Sequence, residues 1–358
     1  MAVSADSLRL AIVEEVIVGT TPTTPTWDLF RTTGEGITFE VTTTQSDEMG
    51  GINRGVKDNI LTGATVTGEV TFELSKNKAF ELLLSATMGS DWGSDPLTHP
   101  GTAADFVYDY QTRRTFTLEK RFTLTDAPTY AFNRFLGCLS DTLNISITPN
   151  EPITGAFGFI GEEMITSGTE IAGSNYDQAG TAPIMTAPLV TGIELLEPAG
   201  ISDVDGTPLG TEVTWMVNSC FTGLDLAFTN NARGLQCIGV LGNNEVVLGR
   251  FEVTGTGSIY YAGNEPLDAL IDQTEYMLRV TTDDGDGDQY IWTFPRVVFS
   301  ASSALASGTN TDVMVEFTLQ MLEYQSGTYA YTTGISRSGA AVAALAAPIV
   351  TEQTKEAV

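Results

Sequence analysis

The chain repeats itself at long range, and that repeat limits what it can fold into more than any other feature. Val66-Thr67-Gly68-Glu69-Val70-Thr71-Phe72-Glu73-Leu74 is followed by Asn77 and the apolar Phe80, Leu83 and Leu84. An offset of 187 (Val66 to Val253) reaches Val253-Thr254-Gly255, then Ile259, Tyr261, Asn264, Leu267, Leu270 and Ile271. The same offset carries Gly19-Thr20 onto Gly206-Thr207, Gly36-Ile37 onto Gly223-Leu224 and Phe39 onto Leu226, with Trp27 near Trp215. Later it falls to 160, where Tyr130 meets Tyr290 and Phe157 meets Phe317, so an insertion lies between Leu84 and Tyr130. A period this long indicates a doubled domain and not a solenoid. The expected division is 1–165 for a first domain with an insertion at about 85–114, 166–190 for a linker, 191–334 for a second domain, and 335–358 for an Ala-rich arm.

Each half reads as mainly β. Val66, Gly68, Val70, Phe72 and Leu74 alternate with Thr65, Thr67, Glu69, Thr71 and Glu73, the period of a strand with one buried face. Phe251 to Tyr261 alternates in the same way, as do Ile37-Phe39-Val41, Leu143-Ile145-Ile147 and Val313-Val315-Phe317-Leu319. One short helix follows the long strand in each half, at about 78–88 and 265–274. Ser75 or Asn77 is the candidate cap of the first, and Asn264, with Pro266 in the first turn, of the second. The expected architecture is two antiparallel β-barrel or sandwich domains in tandem, each with one short helix.

Composition excludes several functions. With 17 Lys+Arg against 45 Asp+Glu, the net charge is −28, a poor basis for gripping nucleic acid through its phosphates. No run approaches the ~18 apolar residues that a membrane-spanning helix needs, and Met1–Val18 lacks the pattern of a secretory signal. Cys138, Cys220 and Cys237 show no CxxC spacing and read as small buried apolar residues. The single histidine, His99, leaves acid–base catalysis almost without a supplier, and neither GxSxG nor HExxH occurs. No catalytic, cofactor or metal residues are therefore assigned, and no enzyme activity is expected. Asp283-Asp284-Gly285-Asp286-Gly287-Asp288 lacks the twelfth-position glutamate of a calcium loop and reads as a hairpin turn. Gly255-Thr256-Gly257 reads as a close-packed strand or bulge.

The polar faces of the alternating strands carry Thr38, Glu40, Thr42, Glu69, Thr71, Glu73, Glu252, Thr254, Thr256, Glu316, Thr318 and Gln320, with no Lys or Arg among them. Such a face is either a solvated surface or the wall of a channel that repels polyanions. Glu69, Glu73, Glu252 and Glu316 are the candidates for lining such a channel. Arg54, Lys57 and Asp58, in the loop Ser46–Leu61, are the candidates for contact between stacked rings.

Glu15-Val16-Ile17-Val18-Gly19-Thr20-Thr21-Pro22-Thr23-Thr24-Pro25-Thr26-Trp27 resembles the start of tail tube proteins of long-tailed, non-contractile bacteriophages. So do Leu61-Thr62-Gly63-Ala64 running on to Ser75, Phe135-Leu136-Gly137-Cys138 leading into Leu143–Ile147, and Tyr290–Arg296. The resemblance spans most of residues 8–330 and leaves out Ser85–Arg114 and the tail. It implies a structural virion protein whose rings stack into a tube with one continuous inner β-barrel, filled by the tape-measure protein and later crossed by viral DNA. It also implies tail terminator and distal tail proteins as partners, no membrane and no cofactor, with assembly in the host cytoplasm. Rings of this kind have six tube domains, so a doubled chain should close as three copies with pseudo-six-fold symmetry. Two other readings stand beside it: another ring-forming tail component of the distal tail or baseplate, and an extracellular β-sandwich binding module.

Overall fold

The structure is a computed structural model that describes residues 4–48, 56–93, 106–124, 130–196, 220–305, 309, 312–326 and 329–338. It is mainly antiparallel β, as the alternation requires. Eighteen strands among the described residues join through one hydrogen-bonded network.

In chain order the first half contributes β1 (Leu8–Glu14), β2 (Thr26–Leu29), β3 (Gly34–Glu35), β4 (Thr38–Gln45) and β5 (Asn59–Glu73). Helix α1 (Lys78–Met88) comes next, then β6 (Phe106–Tyr108), β7 (Phe116–Thr123), β8 (Tyr130–Ile147), β9 (Thr154–Gly161), β10 (Glu163–Ser167) and β11 (Asn175–Asp177). The second half contributes β12 (Gly192–Leu196), β13 (Phe221–Thr229), β14 (Arg233–Leu235), β15 (Glu245–Val247) and β16 (Glu252–Tyr260). Helix α2 (Glu265–Asp272) leads to β17 (Tyr276–Asp283), β18 (Gln289–Leu305), β19 (Met314–Met321), β20 (Tyr324–Ser326), β21 (Tyr329–Tyr331) and β22 (Gly334–Ser338).

One ladder runs β4-β5-β9-β8-β13-β16-β19-β18, every neighbour antiparallel. Its apolar face packs toward a second layer built from β1, β7 and β10 with the start of β8, and from β12, β17 and β22 with the start of β18. The long strands β8 and β18 thus belong to both layers. A single core lies between them, where Val66, Phe72, Phe157, Leu143 and Leu226 of the ladder meet Ile12, Leu118, Leu278 and Trp292 of the second layer. Phe30, Phe72, Phe80 and Phe157 pack ring to ring, and Phe80 reaches Tyr290 of the second half at 5.5 Å.

The two halves follow one strand order. β1-β7-β8-β9-β5-β4 in the first is matched by β12-β17-β18-β19-β16-β13 in the second. Irregularities fall at matching places as well. A register shift at Phe116/Leu118 answers one at Tyr276/Leu278, and one at Ser140/Thr142 answers one at Phe299/Ala301.

Several local expectations change. Asn77 does cap α1, its Oδ1 accepting the Phe80 N–H at 2.9 Å, but the Asn264 side chain makes no capping bond. Asn264 Oδ1 instead accepts the Tyr261 hydroxyl, while its backbone carbonyl receives the N–H groups of Leu267 and Asp268. α2 ends at Asp272, two residues early. Cys138 is buried, but Cys220 and Cys237 are exposed, because they lie just outside the packed strands. The segment expected as a linker includes the end of β10 and all of β11, and the segment expected as an arm begins within β22. Of the expected insertion, Ser85–Met88 complete α1 and β6 pairs with β22. His99 and Trp215 lie outside the described residues.

Candidate functional site

The ladder has one apolar and one polar face, and the polar face is the candidate site. Alternation dictates it: in β5, Val66, Val70 and Phe72 are buried while Thr65, Thr67, Glu69, Thr71 and Glu73 take the opposite side. The registers then carry that side across both halves. Glu69 stands opposite Gly158, Gly158 opposite Thr142, Thr142 opposite Thr229, and Thr229 opposite Glu252. The next polar rows are Thr71, Ala156, Asn144, Ala227, Thr254 and Gln320, and Glu73, Thr154, Ser146, Asp225, Thr256 and Thr318. Glu316 follows, opposite Ser258 on one flank and Ser303 on the other.

All four glutamates singled out from the sequence therefore share one sheet face. Glu69 and Glu316 are exposed, and Glu73 and Glu252 are half-buried. Sequence reading missed Asp225, an exposed carboxylate in the row of Glu73. Its signal was present, since Leu224, Leu226 and Phe228 alternate with Gly223, Asp225 and Ala227. No lysine or arginine occurs in β4, β5, β9, β13, β16, β19, or in the parts of β8 and β18 that belong to this ladder. The nearest cation is Arg250, just before β16, at 3.4 Å from Glu252.

Two open hollows indent the same face. One of about 520 Å³ is lined by Thr71, Asn144, Ser146, Thr154 and Asp225. The other, of about 400 Å³, is lined by Asp225, Thr256, Ser258, Ser303, Glu316 and Thr318. Hydroxyls, amides and carboxylates share these walls with apolar surface, which dominates the first hollow through Ala156, Ala227 and Leu226 and enters the second through Ala301 and Phe317.

Several other cations are paired away from this face. Arg134 and Arg9 meet the fully buried Glu119 at 2.8 and 3.3 Å. Arg279 pairs with Glu194, Arg296 with Glu275, and Arg114 with Glu14. These pairs belong to the second layer and its margins. Burial pushes up the carboxyl of Glu81, in the first turn of α1, against the opposing pull of Arg337 and the Tyr290 hydroxyl.

Of the loop residues singled out for contact between rings, Arg54 lies outside the described residues. Lys57 and Asp58 are exposed where β4 and β5 separate. Lys57 pairs with Glu48 at 3.5 Å, and Asp58 Oδ1 accepts the Asn59 N–H. The structure does not bring either near the glutamate face. Asp283–Asp288 connects β17 to β18 as a hairpin turn, where Asp284 Oδ1 accepts the N–H groups of Asp286 and Asp288. Among the described residues no group of His, Cys, Asp or Glu is arranged to hold a metal ion, and no helix is long and apolar enough to cross a membrane. Gly255 and Gly257 are strand residues, and a Cβ on Gly257 would stand 2.5 Å from the Phe317 ring.

No curated protein matches the chain. A family model described as phage tail tube protein matches residues 6–321, which covers both halves of the ladder, and the chain belongs to that family, whose members are structural proteins of the virion tail.

Proposed function

We propose that this chain is the major tail tube subunit, that it carries two tube domains, and that the polar ladder face lines the bore through which the viral genome leaves. The observation that carries the reading is the single sheet face holding Glu69, Glu73, Asp225, Glu252 and Glu316 with no basic side chain in its strands. DNA must slide along a conduit without sticking. Cations would bind its phosphates and release counterions, which holds it in place. Hydroxyls and carboxylates offer weak, exchangeable contacts and a repulsive field that acts within a Debye length of about 8 Å at physiological salt.

The doubled reading is supported by the matched strand orders and matched register shifts of the two halves. With two tube domains per chain, three copies complete a pseudo-six-fold ring, and stacked rings make the tube. The tape-measure protein occupies the bore before DNA does, the terminator and distal tail proteins close its ends, and assembly takes place in the host cytoplasm. Lys57 and Asp58, with Arg54, contribute to contacts between rings.

Two experiments test this. Negative-stain imaging of the purified chain should show long hollow tubes with three chains per ring by mass; dispersed monomers count against a tube subunit, and six chains per ring against the doubled reading. Changing Glu69, Glu73, Glu252 and Glu316 to Lys together should slow genome ejection at least several-fold while tubes still form. Unchanged ejection kinetics would remove these residues from the bore.

A further inference from the structure

The ladder contains one seam where the two halves of the chain meet, and among the described residues it leaves the two sides of a second such seam uncovered. In the internal seam β13 adds to β8, with Leu224 opposite Ile147, Leu226 opposite Ile145, Ala227 opposite Asn144 and Phe228 opposite Leu143. Helix α1 is covered there as well. Phe80 packs on Tyr290, Asn230 of the second half donates to the Thr87 carbonyl, and every residue from Ala79 to Met88 is buried.

By strand order, β4 is the counterpart of β13, β18 that of β8, and α2 that of α1. In the single chain all three lack what their counterparts have. Among the described residues β4 pairs with β5 on one side and with no strand on the other, and its residues from Glu40 to Gln45 are exposed. Val41, on the apolar side of the ladder, is 53% exposed and Phe39 is only half-buried. Among the described residues the end of β18 pairs only with β19, and Ser300, Ala301, Ser303 and Ala304 are exposed. α2 exposes Leu267 (43%) and Ile271 (69%), whereas the corresponding face of α1 is closed. An open strand edge beside bare apolar side chains is a surface that folded proteins pair or cover.

We propose that β4 of one copy pairs antiparallel with residues 300–305 of β18 of the next copy, in the register of the internal seam. The matched register shifts at Ser140/Thr142 and Phe299/Ala301 set the alignment: Thr142 corresponds to Ala301, Leu143 to Ser302, Asn144 to Ser303 and Ile145 to Ala304. On β4, Phe39 corresponds to Phe228, because Phe39 stands opposite Val66 as Phe228 stands opposite Val253. Ile37 then stands opposite Ala304, Thr38 opposite Ser303, Phe39 opposite Ser302 and Glu40 opposite Ala301. Large side chains on β4 face small ones on β18, so the joint fills without crowding. Thr38 beside Ser303 and Glu40 beside Ala301 lie on the polar face with Glu316, which keeps the acidic surface continuous across the joint. The same approach brings the first half of the next copy over Leu267 and Ile271, as the second half covers α1. This inference rests on the tube reading and names the partner surface that the reading requires.

Cysteine cross-linking of assembled protein tests it, with Cys220 and Cys237 first changed to Ser because both are exposed. The pair T38C and S303C should form an intermolecular disulfide on oxidation, giving linked dimers and closed rings on a non-reducing gel. The pair T38C and S302C, one residue out of register, points to opposite faces and should not. Equal linkage by both pairs, or linkage by the second alone, overturns the register. Hydrogen exchange on the unsubstituted chain gives a second reading. Amides of 38–41 and 300–305 should exchange at least ten-fold more slowly in tubes than in the free chain. Unchanged exchange in tubes overturns the seam and leaves the conduit reading standing, whereas failure of the unsubstituted chain to form tubes overturns the conduit reading and the seam with it.

Discussion

At the scale of single residues, buried charge carries the clearest consequences. Glu119 has no exposed surface and accepts from Arg134, Arg9 and the Tyr176 hydroxyl, so it ties β1, β7, β8 and β11 together. Removing one partner of such a network strands the others without water or counter-charge. Glu119→Ala should cost about 3–5 kcal/mol in urea unfolding, a loss Glu119→Gln should share only in part, since it keeps an acceptor. Asp109 is a second case. Its Oδ1 accepts the N–H groups of Thr332 and Thr333, yet burial outweighs them and pushes its pKa up to about 6. The folded state thus holds this proton more tightly than the unfolded chain. Stability from that site is full below about pH 4, falls as pH rises through about 6, and is flat above. Asp109→Asn should remove about 1–3 kcal/mol of that decline, read as the difference between the two proteins' melting curves from pH 4 to 8. Glu14 and Glu15 were visible in the sequence as carboxylates within an apolar run, but their partners were not. Glu15 receives four bonds, from the N–H groups of Gly19 and Gly137 and the hydroxyls of Thr115 and Thr117, all brought in from other strands or turns.

At the scale of elements, the sequence was most legible where periodicity is local. The alternation of β5, β16 and β19 and the span of α1 could be read directly, because neighbouring residues determine which face each side chain takes. Asn77→Ala should cost about 1 kcal/mol by thermal unfolding, since Asn77 Oδ1 holds the Phe80 N–H, while Asn264→Ala at the start of α2 should cost less. Gly257→Ala should cost about 1–3 kcal/mol by the same measurement, because its new methyl meets the Phe317 ring of β19. The short strands were the least legible. β11 forms only because Asn175–Asp177 lies parallel to Thr26–Asp28, with Tyr176 stacked on Trp27. β22 forms only between β18 and β6, with Arg337 held by Glu81. Gly- and Thr-rich composition at β11 and the approach to an Ala-rich tail at β22 hide pairings made far away in sequence.

For the whole molecule, the outcome turns on a shared sheet. Two sequence halves that could have closed separately share one ladder and one core, joined by β8 and β13. That joint turns scattered glutamates into one acidic face, and it supplies the template by which a second copy can dock. Charge patterning on this scale predicts ionic-strength dependence: raising salt from 0.05 to 0.5 M should narrow the ejection-rate difference between the unsubstituted tube and the four-fold Lys variant, because screening shortens the reach of the wall.

The sequence by itself determined the β character, the polarity of each strand face, the excess of acid and the place of both helices, since these follow from local periodicity and composition. Which carboxylates share a surface, which arginines are spent on buried partners, and which strand edges stay open were decided only by the tertiary structure. Those properties depend on registers between strands up to about two hundred residues apart, and a one-residue slip in any of them would send the glutamates to the opposite face.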